Sequence, residues 1–219
     1  MEMIDLIGIG PGNQAYSLVG HQKLFQEADL ILGSERHLAI LPSVYKEKGQ
    51  IAPKKLQALE ELLRHLPEER KVLYLASGDP LIYGLGRWLA EKFPSRVRIM
   101  AGVSAMQYLA SRICLSMNDA YLTSSHAKAP NYDLIMSLPK VFMVTDQKTG
   151  PYQIAQEILR RGLKKQLVIG EQLSYPDEKI TILPAKQVLD KEYKMNVVVV
   201  LDEGFRIYQN QGPYDQRRS

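Results

Sequence analysis

The sequence predicts an α/β protein of two successive α/β domains, the first built on a mostly parallel sheet. Three observations carry that expectation. Short, continuously apolar runs alternate with segments of helical period, the pattern of strands buried on both faces of a sheet. Three of these runs end in small-residue turns, Gly8-Ile9-Gly10-Pro11-Gly12, Ser77-Gly78-Asp79-Pro80 and Ala101-Gly102-Val103-Ser104-Ala105. The 219 residues are 45% hydrophobic, ample for two cores.

Taken in order, residues 3–9 read as a buried strand with Asp5 inside it, running into the first glycine turn. That turn is spaced G-x-G-x-G, whereas dinucleotide loops need G-x-G-x-x-G and phosphate loops need Gly-Lys-Ser/Thr. Pro11 also removes a backbone donor, so the turn suits an uncharged or cationic ligand part, and a structural turn fits as well. Residues 17–28 carry apolar positions compatible with an amphipathic helix, 29–33 form a short strand, and Ser34 can cap the turn over 35–41. A polar connection covers 42–53. Residues 54–66 are the clearest helix, with Leu56, Leu59, Leu62, Leu63 and Leu66 on one face and Pro67 closing it.

The strand 70–76 leads into Ser77 to Gly86, and the helix 85–93 follows, stopped by Pro94. A Gly-Asp-Pro corner at the carboxyl end of a buried strand is where open α/β sheets place ligands. It is equally where a strand-to-helix turn uses Asp as a cap. Residues 97–100 form another strand, ending in the third turn, and 106–113 a helix. If strands 3–9, 72–76 and 97–100 are parallel, the three turns converge on one crevice. In the second half, strands are expected at 121–126, 140–144, 166–170, 180–183 and 197–201, with helical segments within 128–139, 151–161 and 185–190. The domains divide as 1–115 and 116–219, joined near 114–120.

Composition excludes several classes. The amino terminus has neither the basic start nor the apolar core of a signal peptide, and no run approaches the roughly 20 apolar residues of a membrane helix. A single cysteine, Cys114, permits no internal disulfide framework. A cytoplasmic protein with no membrane association is expected. The net charge of +4 and pI near 9.0 suit an anionic ligand, but the basic residues are scattered and do not interleave with aromatics as in a nucleic-acid binder. His21, His37, His65 and His126 lack ligand-spaced partners, so no metal site is expected. His126 beside Ser124 and Ser125 makes no hydrolytic elbow. What remains is a site of backbone groups, small residues and Asp79, able to hold a cofactor that brings its own reactivity.

The three turns in this order and spacing resemble the tetrapyrrole (corrin/porphyrin) methyltransferase family. Residues Ala76 to Leu81, Tyr83-Gly84-Leu85-Gly86-Arg87, Val103 to Ala110 and Ser124-Ser125-His126 are similar to its branch that methylates C5 of a corrin precursor in cobalamin biosynthesis. The resemblance implies S-adenosylmethionine in a cleft between the domains, touching Pro11, Ser77, Gly78, Asp79, Ile82, Tyr83, Ser104 and Ala105. In the second domain it implies contacts from Met143, Val144, Leu173 and Asn196. Ala105 stands where family members often have a second serine. Asp79, Tyr83 or His126 is available to assist loss of a ring proton. Arg36, His37, Arg87, Arg112 and Lys128 are candidate contacts for a polycarboxylate corrinoid. The resemblance further implies a homodimer, and a separate protein for the C15 methylation and decarboxylation that some relatives fuse to this activity. A methyltransferase acting on another tetrapyrrole position, on diphthamide or on ribosomal RNA ribose, and a non-catalytic nucleotide-binding module, are the competing readings.

Overall fold

The computed structural model describes residues 3–17, 19–126 and 129–208. The chain falls into two compact units, Met1–Ser104 and Ala105–Ser219. The first holds β1 (Ile4–Gly8), α1 (Gln22–Glu27), β2 (Leu30–Gly33), α2 (Glu35–Ala39), β3 (Gly49–Ile51), α3 (Leu56–His65), β4 (Val72–Ala76), α4 (Gly86–Lys92) and β5 (Val97–Met100). Its five strands form one sheet in the order β3-β2-β4-β1-β5, and every pairing is parallel.

The apolar runs divide between the two faces as the two-residue period of a strand requires. On one face Ile4, Leu6, Leu30, Leu32 and Val72 pack with Leu59 and Leu63 of α3 and with Leu89 of α4. On the other, Ile7, Ile31, Leu73 and Leu75 pack with Ile9, Ala28 and Leu41. Burying each such Leu, Ile or Val stabilises the fold by roughly 1.5–3 kcal/mol. Asp5, inside this run, lies at the sheet's far end, where Arg98 Nε and Nη2 donate to its two oxygens at 2.6 and 2.9 Å.

The second unit holds α5 (Ala105–Arg112), β6 (Tyr121–Ser124), α6 (Tyr132–Ser137), β7 (Lys140–Val144), α7 (Pro151–Arg160), β8 (Lys165–Glu171), β9 (Lys179–Pro184) and β10 (Asn196–Asp202). Its sheet runs β6-β7-β10-β8-β9 and is mixed: β6 is parallel to β7, and the other pairs are antiparallel. Val141, Met143, Leu167, Ile169, Val198 and Val200 face Ile154, Ala155 and Ile158 of α7. α5 packs on β7 and β10, so this helix, placed with the first half by the 115/116 division, counts with the second unit.

The structure departs from the expected elements in four places. Among the described residues of the helix expected over 17–28, Gln22 to Glu27 are α-helical, after a 3₁₀ turn at Val19–His21 that holds Gly20, a poor helix former. β3 arises in the stretch expected as connection. Its three residues are an edge strand with no alternating pattern to betray it. α2 is a true helical turn and a half rather than a bend, and 185–190 is only a 3₁₀ turn, Ala185–Gln187.

Candidate functional site

Because β1 lies between β4 and β5, all parallel, the three small-residue turns emerge side by side. They are in direct backbone contact. The Gly78 amide donates to the Gly10 carbonyl at 2.7 Å, and the Ile9 amide to Ala76 at 2.9 Å. A Cβ on Gly8 would fall against the Gly78 carbonyl and 2.7 Å from the Gly102 amide nitrogen. One on Gly102 would meet the same Gly78 carbonyl and stand 2.5 Å from that of Gly8. These two glycines are set by crowding. Gly78, at φ +60°, is set by the turn itself.

Asp79 stitches two of the turns. Its Oδ1 accepts from the Leu81 amide at 2.8 Å and its Oδ2 from the Gly102 amide at 3.2 Å. It is therefore not the cap of α4, which begins seven residues later at Gly86 behind Leu85. The amides of Gly78, Leu81 and Gly102 are thus all spent on protein oxygens. An anion-binding loop needs its donors free, so these three amides are not available to hold an anion. The segment after Asp79 winds back, with the Gly86 amide donating to the Pro80 carbonyl at 2.8 Å. Tyr83 sits in it at φ +54°, a left-handed conformation that costs a bulky residue roughly 1–2 kcal/mol. Tyr83 and Leu81 are 51% and 62% exposed, so this loop shows apolar surface. Pro11 and Ser104 are buried, and Ile82 is half-buried.

Arg36 and His37 come to this sheet end through α2. Ser34 caps the helix, its Oγ accepting from the His37 amide at 3.4 Å, as the sequence predicts. His37 is buried against β4, with Nδ1 3.0 Å from the Leu75 carbonyl and Nε2 2.8 Å from Ser77 Oγ. Arg36 Nη2 donates to the same Oγ at 2.5 Å. Burial first, and the Arg36 charge second, lower the His37 pKa from 6.5 to about 4, against the Leu75 hydrogen bond that raises it. At neutral pH the ring is uncharged. It offers hydrogen bonding, not charge, and nothing in the chain's pattern marked that.

The remaining candidates sit elsewhere. Arg87 pairs with Glu91 at 2.7 Å on the solvent face of α4. In the second unit, Arg112 Nε donates at 2.9 Å to Glu178, whose other oxygen accepts the Ser174 amide at 2.7 Å. His126 is exposed just beyond β6, its amide donating to Ser124 Oγ at 3.1 Å. Lys128 lies outside the described residues. Met143 and Val144 end β7 beside the start of β10, where Asn196 Oδ1 accepts from Thr145 Oγ1 at 2.7 Å. Asn196 pairs with Glu171, and two residues on, buried Leu173 stands between Gln172 and Ser174, at φ +48° and +68°. Those four residues gather at one end of the second sheet. Sequence reading missed Thr145 and Glu178, since a lone hydroxyl or carboxylate carries no pattern.

Residues 3–189 match the model of the tetrapyrrole (corrin/porphyrin) methylases. The chain belongs to that family. Among methylases of this family it is 38% identical over 205 residues to a cobalt-precorrin-7 C(5)-methyltransferase of Salmonella typhimurium, covering 92% of this chain and all of the relative. It is 28% identical to a decarboxylating precorrin-6Y C(5,15)-methyltransferase of a Sinorhizobium species, over 93% of this chain and 51% of that protein. This methylase thus spans about half of that two-position enzyme. A uroporphyrin-III C-methyltransferase of Thermus thermophilus, solved with S-adenosylhomocysteine, shares its fold at a TM-score of 0.69 and 22% identity, covering 91% of this chain and 97% of that one.

Proposed function

We propose that this chain transfers a methyl group from S-adenosylmethionine to C5 of a corrin-ring precursor, cobalt-precorrin-7 or precorrin-6Y, in cobalamin biosynthesis. The ring position rests on the 38% identity over the whole length of a C5 enzyme. One observation carries the cofactor class. The amides of Gly78, Leu81 and Gly102 are spent on protein oxygens and are not available to a phosphate group, which supports a cofactor bound without one. A nucleotide-binding module built on phosphate is disfavoured for the same reason.

When bound, the cofactor supplies a methyl carbon made electrophilic by its sulfonium. With it bound, the methyl group would pass to the ring carbon as its bond to sulfur breaks, leaving S-adenosylhomocysteine, and the proton lost from the ring would pass to solvent, with Asp79, Tyr83 or His126 available to assist. Around the cofactor, Pro11, Ser77, Gly78, Asp79, Ile82, Tyr83, Ser104 and Ala105 are proposed to bind and orient. Met143, Val144, Leu173 and Asn196 are further contacts proposed from the second unit, to which Ala105 also belongs. Such alignment supplies on the order of 7–11 kcal/mol of a displacement barrier, so no activated nucleophile is needed. Asp79, with both oxygens holding amides, acts as a brace in this scheme. The exposed Leu81 and Tyr83 offer an apolar platform suited to a flat macrocycle.

The substrate's carboxylates are proposed to meet Arg36 and Lys128; Arg87 is paired with Glu91 on the solvent face of α4. Arg112 is better spent on Glu178. Homodimerisation, a cytoplasmic location and a separate C15-methylating, decarboxylating protein complete the proposal. Among the described residues no helix is long and apolar enough to cross a membrane. Incubation with labelled S-adenosylmethionine and a panel of precorrins, followed by mass-resolved product analysis, tests it. A methyl group placed at another ring position, or only on RNA or protein, refutes it.

A further inference from the structure

The contacts around Ser77 determine which way its hydroxyl points. A carbonyl only accepts, so the 3.0 Å approach of His37 Nδ1 to the Leu75 carbonyl places the ring proton on Nδ1. The Ser34 amide also lies 3.4 Å from Nδ1. One nitrogen cannot accept from that amide and donate to the carbonyl at once, and the shorter contact decides. The opposite tautomer would set a lone pair against the Leu75 oxygen. With the proton on Nδ1 of an uncharged ring, Nε2 is bare, and it takes the Ser77 hydroxyl proton at 2.8 Å. Arg36 donates to the same oxygen from outside. Ser77 has no second proton, so what it shows a ligand is a lone pair.

This arrangement is built in. A Cβ on Gly33 would stand 3.1 Å from His37 Cβ and 3.3 Å from Leu75 Cβ, so the glycine lets the ring lie against β4. The Ser34 cap holds the first turn of α2 in register.

We propose that His37 is a positioning residue that locks the Ser77 hydroxyl as a hydrogen-bond acceptor at the end of β4, so that the lone pair Arg36 leaves on it takes a hydroxyl or amine donor of the cofactor. This rests on the cofactor reading above. It assigns to Ser77 a donor group of the cofactor, and removes His37 from the contacts for the substrate's acids.

Calorimetric titration of S-adenosylhomocysteine into wild type, Ser77→Ala, His37→Asn, His37→Gln and the double variant Ser77→Ala/His37→Asn tests it. Asn places an amide near Nδ1 but is too short to reach Ser77, whereas the Gln amide reaches the place of Nε2. Ser77→Ala and His37→Asn are each expected to weaken binding about tenfold, as loss of one hydrogen bond to a charged group does. The double variant should be no weaker than Ser77→Ala alone, and His37→Gln should stay within about threefold of wild type. Circular dichroism confirms that each variant is folded. Additive losses, or equal affinities for the Asn and Gln variants, overturn the proposal while leaving the cofactor reading standing. A wild type that does not bind S-adenosylhomocysteine overturns both.

Discussion

Lowering the pH should destabilise the first unit through His37. In the unfolded chain its imidazole protonates around pH 6.5, and in the fold only around pH 4. The folded state therefore disfavours the charge. Above pH 6.5 both states are neutral and the group adds no pH dependence. Between 6.5 and 4 the unfolded chain binds the extra proton, so stability falls as the pH falls, and below 4 the loss is complete. The full difference corresponds to about 3.4 kcal/mol, of which about 2 kcal/mol is lost between pH 7.5 and pH 5. Trp88, the only tryptophan, packs half-buried against the core of the first unit, so its fluorescence in urea reports that unit. Titrations at pH 7.5 and 5 on wild type and His37→Asn cancel the groups common to both. Wild type should lose about 2 kcal/mol more than the variant over that interval. Equal losses would refute a buried neutral imidazole at this position.

Other perturbations separate the remaining roles. Gly8→Ala, which drives a Cβ into backbone atoms of both neighbouring turns, should destabilise the first unit by about 1–3 kcal/mol in the same urea assay, and a neutral result would mean the turns are looser than described. Asp79→Ala leaves the Leu81 and Gly102 amides without acceptors. It should cost about 1–3 kcal/mol and also weaken S-adenosylhomocysteine binding, whereas unchanged affinity would leave Asp79 only structural. Tyr83→Gly should relieve the positive φ and stabilise the unit by up to about 1 kcal/mol, offset by Gly's chain entropy, while raising KM for the corrinoid. Arg112→Ala leaves the Glu178 carboxylate, 13% exposed, with only the Ser174 amide as partner, and should lower the thermal midpoint by several degrees in calorimetry, whereas an unchanged midpoint would mean the pair adds nothing.

The architecture was legible because its signals are local. A run such as Val197 to Leu201, short, apolar at every position and rich in β-branched valine, fits a strand covered on both faces, and the leucines of α3 repeat at a helical interval. The turns at residues 8–12, 77–80 and 101–105 were legible too, since small residues gather where the backbone must turn sharply. Elements lacking a repeating pattern escaped. β3 exists because β2 offers it an edge, and α1 begins only after the 3₁₀ turn that holds Gly20.

The chain alone thus determined the two α/β halves and the glycine turns, and the resemblance of those turns to known motifs pointed to the family. It could name Ser77 and Asp79 in a turn at a strand end and His37 as a candidate contact for the substrate's acids, but not how they divide the work. Only the tertiary structure decided that Asp79 spans two turns, that His37 is an uncharged ring rather than a cation, and that Arg112 answers Glu178 across 66 residues of chain. The physical reason is that hydrogen-bond partners and protonation depend on which strand lies next to which. That order, β4-β1-β5, places residues far apart in sequence within reach of each other and is set by burial of the whole sheet.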